Sequence, residues 1–563
     1  MKKFHLTDQY ALINFDSSSF ANEIELIKSK SFEEILSKFY THHIKINDDM
    51  HFFNDYKLIL NIYKLLLVYD LDTVFSMLQL QSKSIFLELY HFTEKFYDYW
   101  RKLERYGLMQ VNKSINIDSR KNDLLVQSDL LNSKILSLYR MITQKLLGTT
   151  FSVYRQLPAG VNASLLYMNH KYSSSEDYAK LQNVGFVTSI ITRPPFIVYS
   201  KNNTRKGTFY ETKQNPLNHI NINKLHYLAF PIKVGKLLAF VYIHRDFLHH
   251  GVGLSNLFEL TKFDEFDNRK PDLTYVYGMK EKEYDGTYYY DQQENMYLGF
   301  VSRDDENDYF GYLKKMILTL HNLYMIDHGN LPIHGAMVSV KLKNDKTKNI
   351  VIIGDSGAGK SETLEALRII GNTYIKDMKV VFDDMGVFHI DQKVVATGTE
   401  IGAFVRLDDL EAGYAYQEMD RAIFLNPNQK NARVIIPISL YDFISSNHQI
   451  DILLYANNYE SNSQGIKIFE TTREAIDVFK KGERFAKGTT SETGLVRSYF
   501  ANPFGPYQKQ EQCDVLIDKY FNLLEQQHIL IGEIYTNLAV KGHESEGPQE
   551  AAKILLEYIS IGD

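Results

Sequence analysis

One eight-residue segment limits this chain more than any other feature: Gly354-Asp355-Ser356-Gly357-Ala358-Gly359-Lys360-Ser361. It matches G-x-x-x-x-G-K-S and lies between the apolar run Ile350–Ile353 and the run Thr363–Ile370. That order predicts strand, loop and helix. The glycines let successive backbone N–H groups turn toward a polyphosphate at a helix N-terminus, Lys360 adds charge at the outer phosphates, and Ser361 offers a hydroxyl to Mg²⁺. Nucleoside triphosphate binding follows, with residues 354–361 and the adjoining Glu362 as the cradle.

Two carboxylates end the next apolar run, Lys379-Val380-Val381-Phe382-Asp383-Asp384. Hard oxygen ligands beside a phosphate-bound metal have this placement. Upstream stand Lys315, in Tyr309-Phe310-Gly311-Tyr312-Leu313-Lys314-Lys315, and His334, in Pro332-Ile333-His334-Gly335-Ala336. Taken alone, a histidine at the head of an apolar strand reads as structural and a Lys-Lys pair as a solvated face.

Around this segment the chain divides by texture. From Ser31 to Leu147 apolar residues recur at helical spacing: Phe32, Ile35, Leu36, Phe39 and Tyr40 follow a Ser31-x-x-Glu34 capping box, and the pattern continues through Leu58–Tyr69 and Ile85–Trp100. An all-α N-terminal domain over 1–148 is predicted, with the polar stretch Asn112 to Asp123 and a last helical run near Gly148 leading out of it. Short β-rich runs, Val184–Ile191, Phe196–Tyr199, Leu228–Val234 and Leu237–Ile243, predict a smaller α+β domain over 149–308. After the acidic stretch Asp304–Asp308, strands alternate with Gly-rich loops and helices, predicting an α/β nucleotide-binding domain over 309–563.

Composition removes other classes. Of 563 residues, 44% are hydrophobic and 23% charged, enough for large cores. A single cysteine, Cys513, cannot form an internal disulfide, and a reducing, cytoplasmic setting is expected. The net charge of −6 argues against nucleic acid as the main partner, and the most apolar stretch, Leu65–Tyr69, is far short of a membrane span.

At these residues the chain resembles the phosphoenolpyruvate carboxykinases, especially the ATP-dependent branch, and more loosely HPr kinase, which shares a related nucleotide-binding core. In the carboxykinase pattern a histidine follows the second lysine of a tyrosine–glycine–lysine–lysine segment by nineteen positions, and here 334 − 315 = 19. The phosphate loop, the Asp383-Asp384 pair and Asn431-Ala432-Arg433-Val434-Ile435-Ile436-Pro437 follow in the family's order. The segments Thr399–Arg406, Lys487–Gly494 and Phe500–Pro506 are similar to its strand after the metal aspartates, its mobile lid and a further family segment. The likeness runs over about residues 300–560 and, more weakly, 150–300.

The resemblance implies a carboxykinase-like fold and a two-metal phosphoryl-transfer site. Lys315, His334 and Asp384 would hold Mn²⁺, Lys315 as a neutral amine. Lys360 and Ser361, with Asp383 beside them, would hold the nucleotide Mg²⁺ and the outer phosphates of ATP, and Arg433 would face the transferring phosphoryl. In the family, oxaloacetate loses CO₂ and the enolate takes the γ-phosphate, giving phosphoenolpyruvate. Tyr309 and Arg205 are the substrate candidates, with Arg193 as a second candidate for the carboxylate-gripping arginine. The Gly-Asp-Ser-Gly form of the loop and the following Glu362 are closer to HPr kinase. A kinase of a protein or small-molecule hydroxyl is therefore the competing expectation, with His334 and Asp383 near the acceptor. A nucleotide-gated regulator speaking through the N-terminal helices is the non-enzymatic one.

Overall fold

Helical periodicity in the N-terminal third does produce helices, but a sheet forms with them. The computed structural model describes all residues except 1–2, 18–19, 47–54, 81–83, 113–116, 151, 155, 173, 205–207, 411–416, 461–464, 487–493, 543–545 and 562–563. It is a mixed α/β protein with several sheets. The chain forms two compact units: Met1–Asn169 with Gly185–Phe196, and His170–Val184 with Ile197–Asp563. The expected boundaries were at 148/149 and 308/309. Among the described residues no helix is long and apolar enough to cross a membrane.

The first unit is not all-α. Strands Phe4–Leu6, Tyr10–Asn14, Glu104–Gln110, Ala163–Asn169 and Gly185–Thr192 pair in that order, the second, third and fourth running parallel. Helices Glu23–Lys28, Tyr56–Leu66 and Leu71–Leu78 begin at Asn22, Asp55 and Asp70, whose side chains accept backbone N–H groups of the first turn. The proposed capping box at Ser31 is not used. Helix Lys30–Ile46 starts two residues earlier, because Ser29, which ends the preceding helix, accepts the Phe32 N–H at 3.1 Å. Most of the stretch read as a connection, from Ile117, is the start of the 31-residue helix Ile117–Leu147. Leu26, Leu36, Phe39, Ile59, Tyr63, Phe92 and Leu138 meet in one core.

In the second unit, one sheet runs Tyr227–Val234, Leu237–His244, Leu273–Met279, Met296–Ser302, Thr287–Asp291 and Tyr210–Glu211. Helix Phe310–Asp327 packs against its Met296–Ser302 strand and against strand Leu331–Leu342 of the next sheet. That next sheet carries the phosphate loop. Its order is His448–Gln449, Lys393–Gly398, Met385–Asp391, Leu331–Leu342, Thr347–Ile353, Ile452–Asn457, Leu530–Tyr535 and Ile466–Ile468, with Ile375–Phe382 also pairing Leu331–Leu342. Strands Thr347–Ile353, Ile452–Asn457 and Leu530–Tyr535 are mutually parallel. Parallel strands are covered on both faces. Ile350 and Ile352 point to helices Lys360–Ile370 and Gly547–Ile561, while Val351 and Ile353 point to helix Gln510–Gln526. A smaller sheet pairs Gly402–Arg406 and Ile423–Leu425 with the two sides of Arg433–Pro437.

Candidate active site

The loop Gly354–Gly359 leaves the C-terminal end of strand Thr347–Ile353 and turns directly into helix Lys360–Ile370. At Gly359 φ is +90°, and a Cβ there would stand 2.6 Å from Thr536 Oγ1, so this position accepts glycine alone. Two side chains hold the loop open: Thr536 Oγ1 donates to the Ala358 carbonyl at 2.7 Å, and Asn458 Nδ2 to the Gly357 carbonyl at 2.9 Å. Lys360 donates to the Asp355 carbonyl at 3.1 Å, folded over the loop. Ser361 Oγ donates to Asp383 Oδ1 at 2.8 Å, which places both groups where a phosphate-bound cation needs oxygen.

A second cluster lies beside this loop and is tied to it through the backbone. The Gly354 N–H donates to the His334 carbonyl at 3.2 Å, and the Gly335 N–H to the Asp384 carbonyl at 3.0 Å. Lys315 Nζ is 2.8 Å from Asp384 Oδ2 and His334 Nε2 is 3.0 Å from Asp384 Oδ1. The three residues that the resemblance implies as metal ligands therefore converge. Lys314, set aside as part of a solvated pair, is 1% exposed and bridges Asp384 Oδ2 at 2.7 Å and Glu400 Oε1 at 2.9 Å.

Burial opposes charge throughout this cluster, and neighbouring charges decide each outcome. Burial would lower Lys314, but Asp384 and Glu400 override it and hold its ammonium above the ordinary lysine range. For Lys315 burial prevails over the attraction of Asp384, helped by Lys314, and its pKa is lowered. Burial would raise Asp384, yet Lys314, Lys315 and His334 hold it well below the usual carboxylate range. Burial pushes Asp383 up to about 6 against Ser361 and Lys360, and pushes Glu400 up to about 7 against Lys314.

The donor set suits the metal that the resemblance implies. His334 Nδ1 is 2.6 Å from the Ala501 carbonyl, which only accepts, so Nδ1 carries the hydrogen. In the neutral ring Nε2 then aims a lone pair at Asp384, and two acceptors at that distance call for a proton or a metal ion between them. A lysine with lowered pKa completes an amine, imidazole and carboxylate set.

These groups line one open cleft of about 2110 Å³, room for a nucleotide and a second substrate. Asp355, Ser356, Gly357, Gly359, Ser361 and Glu362 line it, whereas Gly354 and Ala358 shape the loop from behind. Tyr309, the residue before helix Phe310–Asp327, is also in the lining. Arg433 lines the cleft with its guanidinium 5.4 Å from the Phe404 ring centroid, and its buried Nε has no hydrogen-bond partner among the described residues. Opposite it in strand register stands Arg406, also in the lining. Arg484 adds a further cation, its Nε 3.1 Å from Asp355 Oδ2.

Arg193 belongs to the first unit and is ion-paired with Asp129 there. Arg205 and residues 487–493, which the resemblance likens to a lid, lie outside the described residues. Sequence reasoning missed Lys314, Glu400 and Arg484 as site residues. Lys314 carried a signal in its adjacency to Lys315, and Glu400 in its place within the family-like segment Thr399–Arg406. No protein-family model matches the chain, and no curated protein matches it in sequence.

Proposed function

We propose that the second unit is a carboxykinase-like core that catalyses nucleotide-dependent phosphoryl transfer. The reaction it fits best is that of an ATP-dependent phosphoenolpyruvate carboxykinase: oxaloacetate loses CO₂, and the enolate oxygen takes the γ-phosphoryl of ATP. The observation that carries this reading is the convergence of Lys315, His334 and Asp384 beside a phosphate loop. A simple nucleotide switch has no use for a buried amine–imidazole–carboxylate set.

In this reading the loop N–H groups and Lys360 bind and orient the phosphates, while Ser361 and Asp383 would hold Mg²⁺. Lys315, His334 and Asp384 would hold Mn²⁺, which when bound supplies Lewis acidity toward the carbonyl oxygen of the substrate. Lys314, braced by Glu400, keeps Asp384 ionised and in place. Arg433 and Arg406 meet the negative charge of the transferring group or of the substrate carboxylates. Tyr309, in the lining of the cleft, would contact the substrate.

A second reading, phosphorylation of a hydroxyl on a protein or small molecule, is favoured by Asp383. Its carboxyl, raised by burial to about 6, is suited to accept a proton from an acceptor hydroxyl near neutral pH.

Phosphorus NMR of the full chain with ATP, Mg²⁺, Mn²⁺ and oxaloacetate tests the proposal. Phosphoenolpyruvate formed by the native protein and not by Lys315→Ala is the expected result. ATP left unchanged removes the carboxykinase reading and transfers the weight to a hydroxyl acceptor absent from that mixture or to a nucleotide-gated regulator.

A further inference from the structure

A second group of metal-ligating side chains shares no residue with the site above. His249 and His250 open helix Leu248–Leu257, and Asp308 follows the short turn Asp305–Asn307. The Nε2 atoms of both histidines lie 2.9 Å from Asp308 Oδ1. All three residues are buried, at 4%, 0% and 4% exposure. Two imidazoles and a carboxylate from separate elements thus aim at one point inside the protein.

A buried carboxylate needs compensating charge or a full set of donors. Asp308 Oδ2 accepts the Lys201 N–H at 2.9 Å, and among the described residues no lysine or arginine head reaches this carboxylate. Among the described residues its cationic compensation comes through the two imidazoles or through an ion that they bind with it. The surroundings are apolar rings: Phe247 lies parallel to His250 at 6.1 Å, with Tyr277 at 5.8 Å and Phe310 at 6.1 Å.

We propose that His249, His250 and Asp308 form a transition-metal site, with Zn²⁺ the ion that two imidazole nitrogens and one carboxylate oxygen fit best. The Lys201 amide on Oδ2 orients the carboxylate in the way that outer hydrogen bonds orient metal ligands. Binding requires the 2.9 Å contacts to open by about 0.4 Å, so that bonds of about 2.0–2.1 Å can meet at the ion. The site braces two walls of the cleft. Asp308 precedes Tyr309, and Lys201 and Asn202, both bonded to Asp308, precede the cleft residues Asn203 and Thr204. The proposal is independent of the phosphoryl-transfer reading.

The test uses the full chain carrying His334→Ala, so that the other candidate metal site lacks a ligand. The protein is stripped with a chelator, loaded with Co²⁺, desalted, and read by elemental analysis and by visible absorption. One Co²⁺ retained per chain, with ligand-field bands, is expected, as is a loss of affinity of at least about tenfold on adding His250→Ala. Asp308→Asn, which preserves the side-chain size, gives the same decision if the His250 variant fails to fold. No retained Co²⁺, or retention unchanged by Asp308→Asn, would overturn the proposal and leave the cluster held by protons alone.

Discussion

His334 Nδ1 lies 2.6 Å from the carbonyl oxygen of Ala501, a residue 167 positions further along the chain. Ala501 and Phe500 both have positive φ, 49° and 52°, and both are buried. Two successive non-glycine residues in the left-handed region cost roughly 1–2 kcal/mol each. That strain is placed where it presents a carbonyl to the ring and so fixes which nitrogen faces Asp384.

His334→Asn separates orientation from ligation. The amide can still donate toward Ala501 but has no atom at the Nε2 position. The fold should persist, while Mn²⁺ affinity, followed by the EPR signal of the free ion, should fall at least about tenfold. Undiminished Mn²⁺ binding would remove His334 from the metal site.

Lys314→Met leaves Glu400 buried without its cation. A loss of about 3–5 kcal/mol is expected from breaking such a pair, growing from pH 6 to pH 8 because Glu400 must then be held protonated further above its value of about 7. The double variant Lys314→Met, Glu400→Met should recover part of it. Urea unfolding followed by circular dichroism at both pH values measures this, and a pH-independent loss would show that Glu400 is not the group left exposed to the imbalance.

His321, in helix Phe310–Asp327, should make the second unit acid-sensitive. Burial pushes its pKa down to about 4, with Asn322 opposing, so the fold favours the neutral ring. The stability this contributes is complete above the unfolded value near 6.5 and is lost as pH falls from there to about 4, up to about 3 kcal/mol. His321→Leu should unfold with a shallower dependence on pH over that window. Equal slopes in the two proteins would contradict the assignment.

In the first unit Arg105, 3% exposed, donates to the carbonyls of Gly160, Trp100, Arg101 and Leu103 at 2.6, 2.9, 2.6 and 2.8 Å. Arg105→Met strands several buried acceptors and should cost about 3 kcal/mol. Trp100 is the sole tryptophan and lies in this unit, so its fluorescence reports this unit's urea unfolding alone. A midpoint unchanged from the native protein would refute the role given to Arg105.

What could be read from the sequence was the chemistry written in consecutive residues or in a fixed spacing. Eight contiguous residues dictate the phosphate loop, and Asp383 and Asp384 end a strand that the apolar run announces. Lys315 and His334 owed their selection to a family resemblance, since neither is distinctive alone. Glu400 was not assigned because its meeting with Lys314 spans 86 positions and depends on burial, which no local pattern encodes. The strands Phe4–Leu6 and Tyr10–Asn14 escaped notice for a similar reason. They are short, and the second finds its parallel partner Glu104–Gln110 only after five helices. Non-local parallel pairing leaves little trace in periodicity.

The order in which the chain builds its two units bears on how either could be isolated. It leaves the first unit after Asn169, returns at Gly185 and leaves again after Phe196. A truncated chain starting at residue 149 would keep strands Ala163–Asn169 and Gly185–Thr192 while losing Glu104–Gln110, which pairs with Ala163 to Tyr167 on the former's other side. The bared edge would offer a row of unsatisfied N–H and C=O groups to any neighbouring chain, a template for aggregation. Freeing the phosphate-loop unit therefore takes two excisions and a splice, joining residue 184 to 197, rather than a single cut.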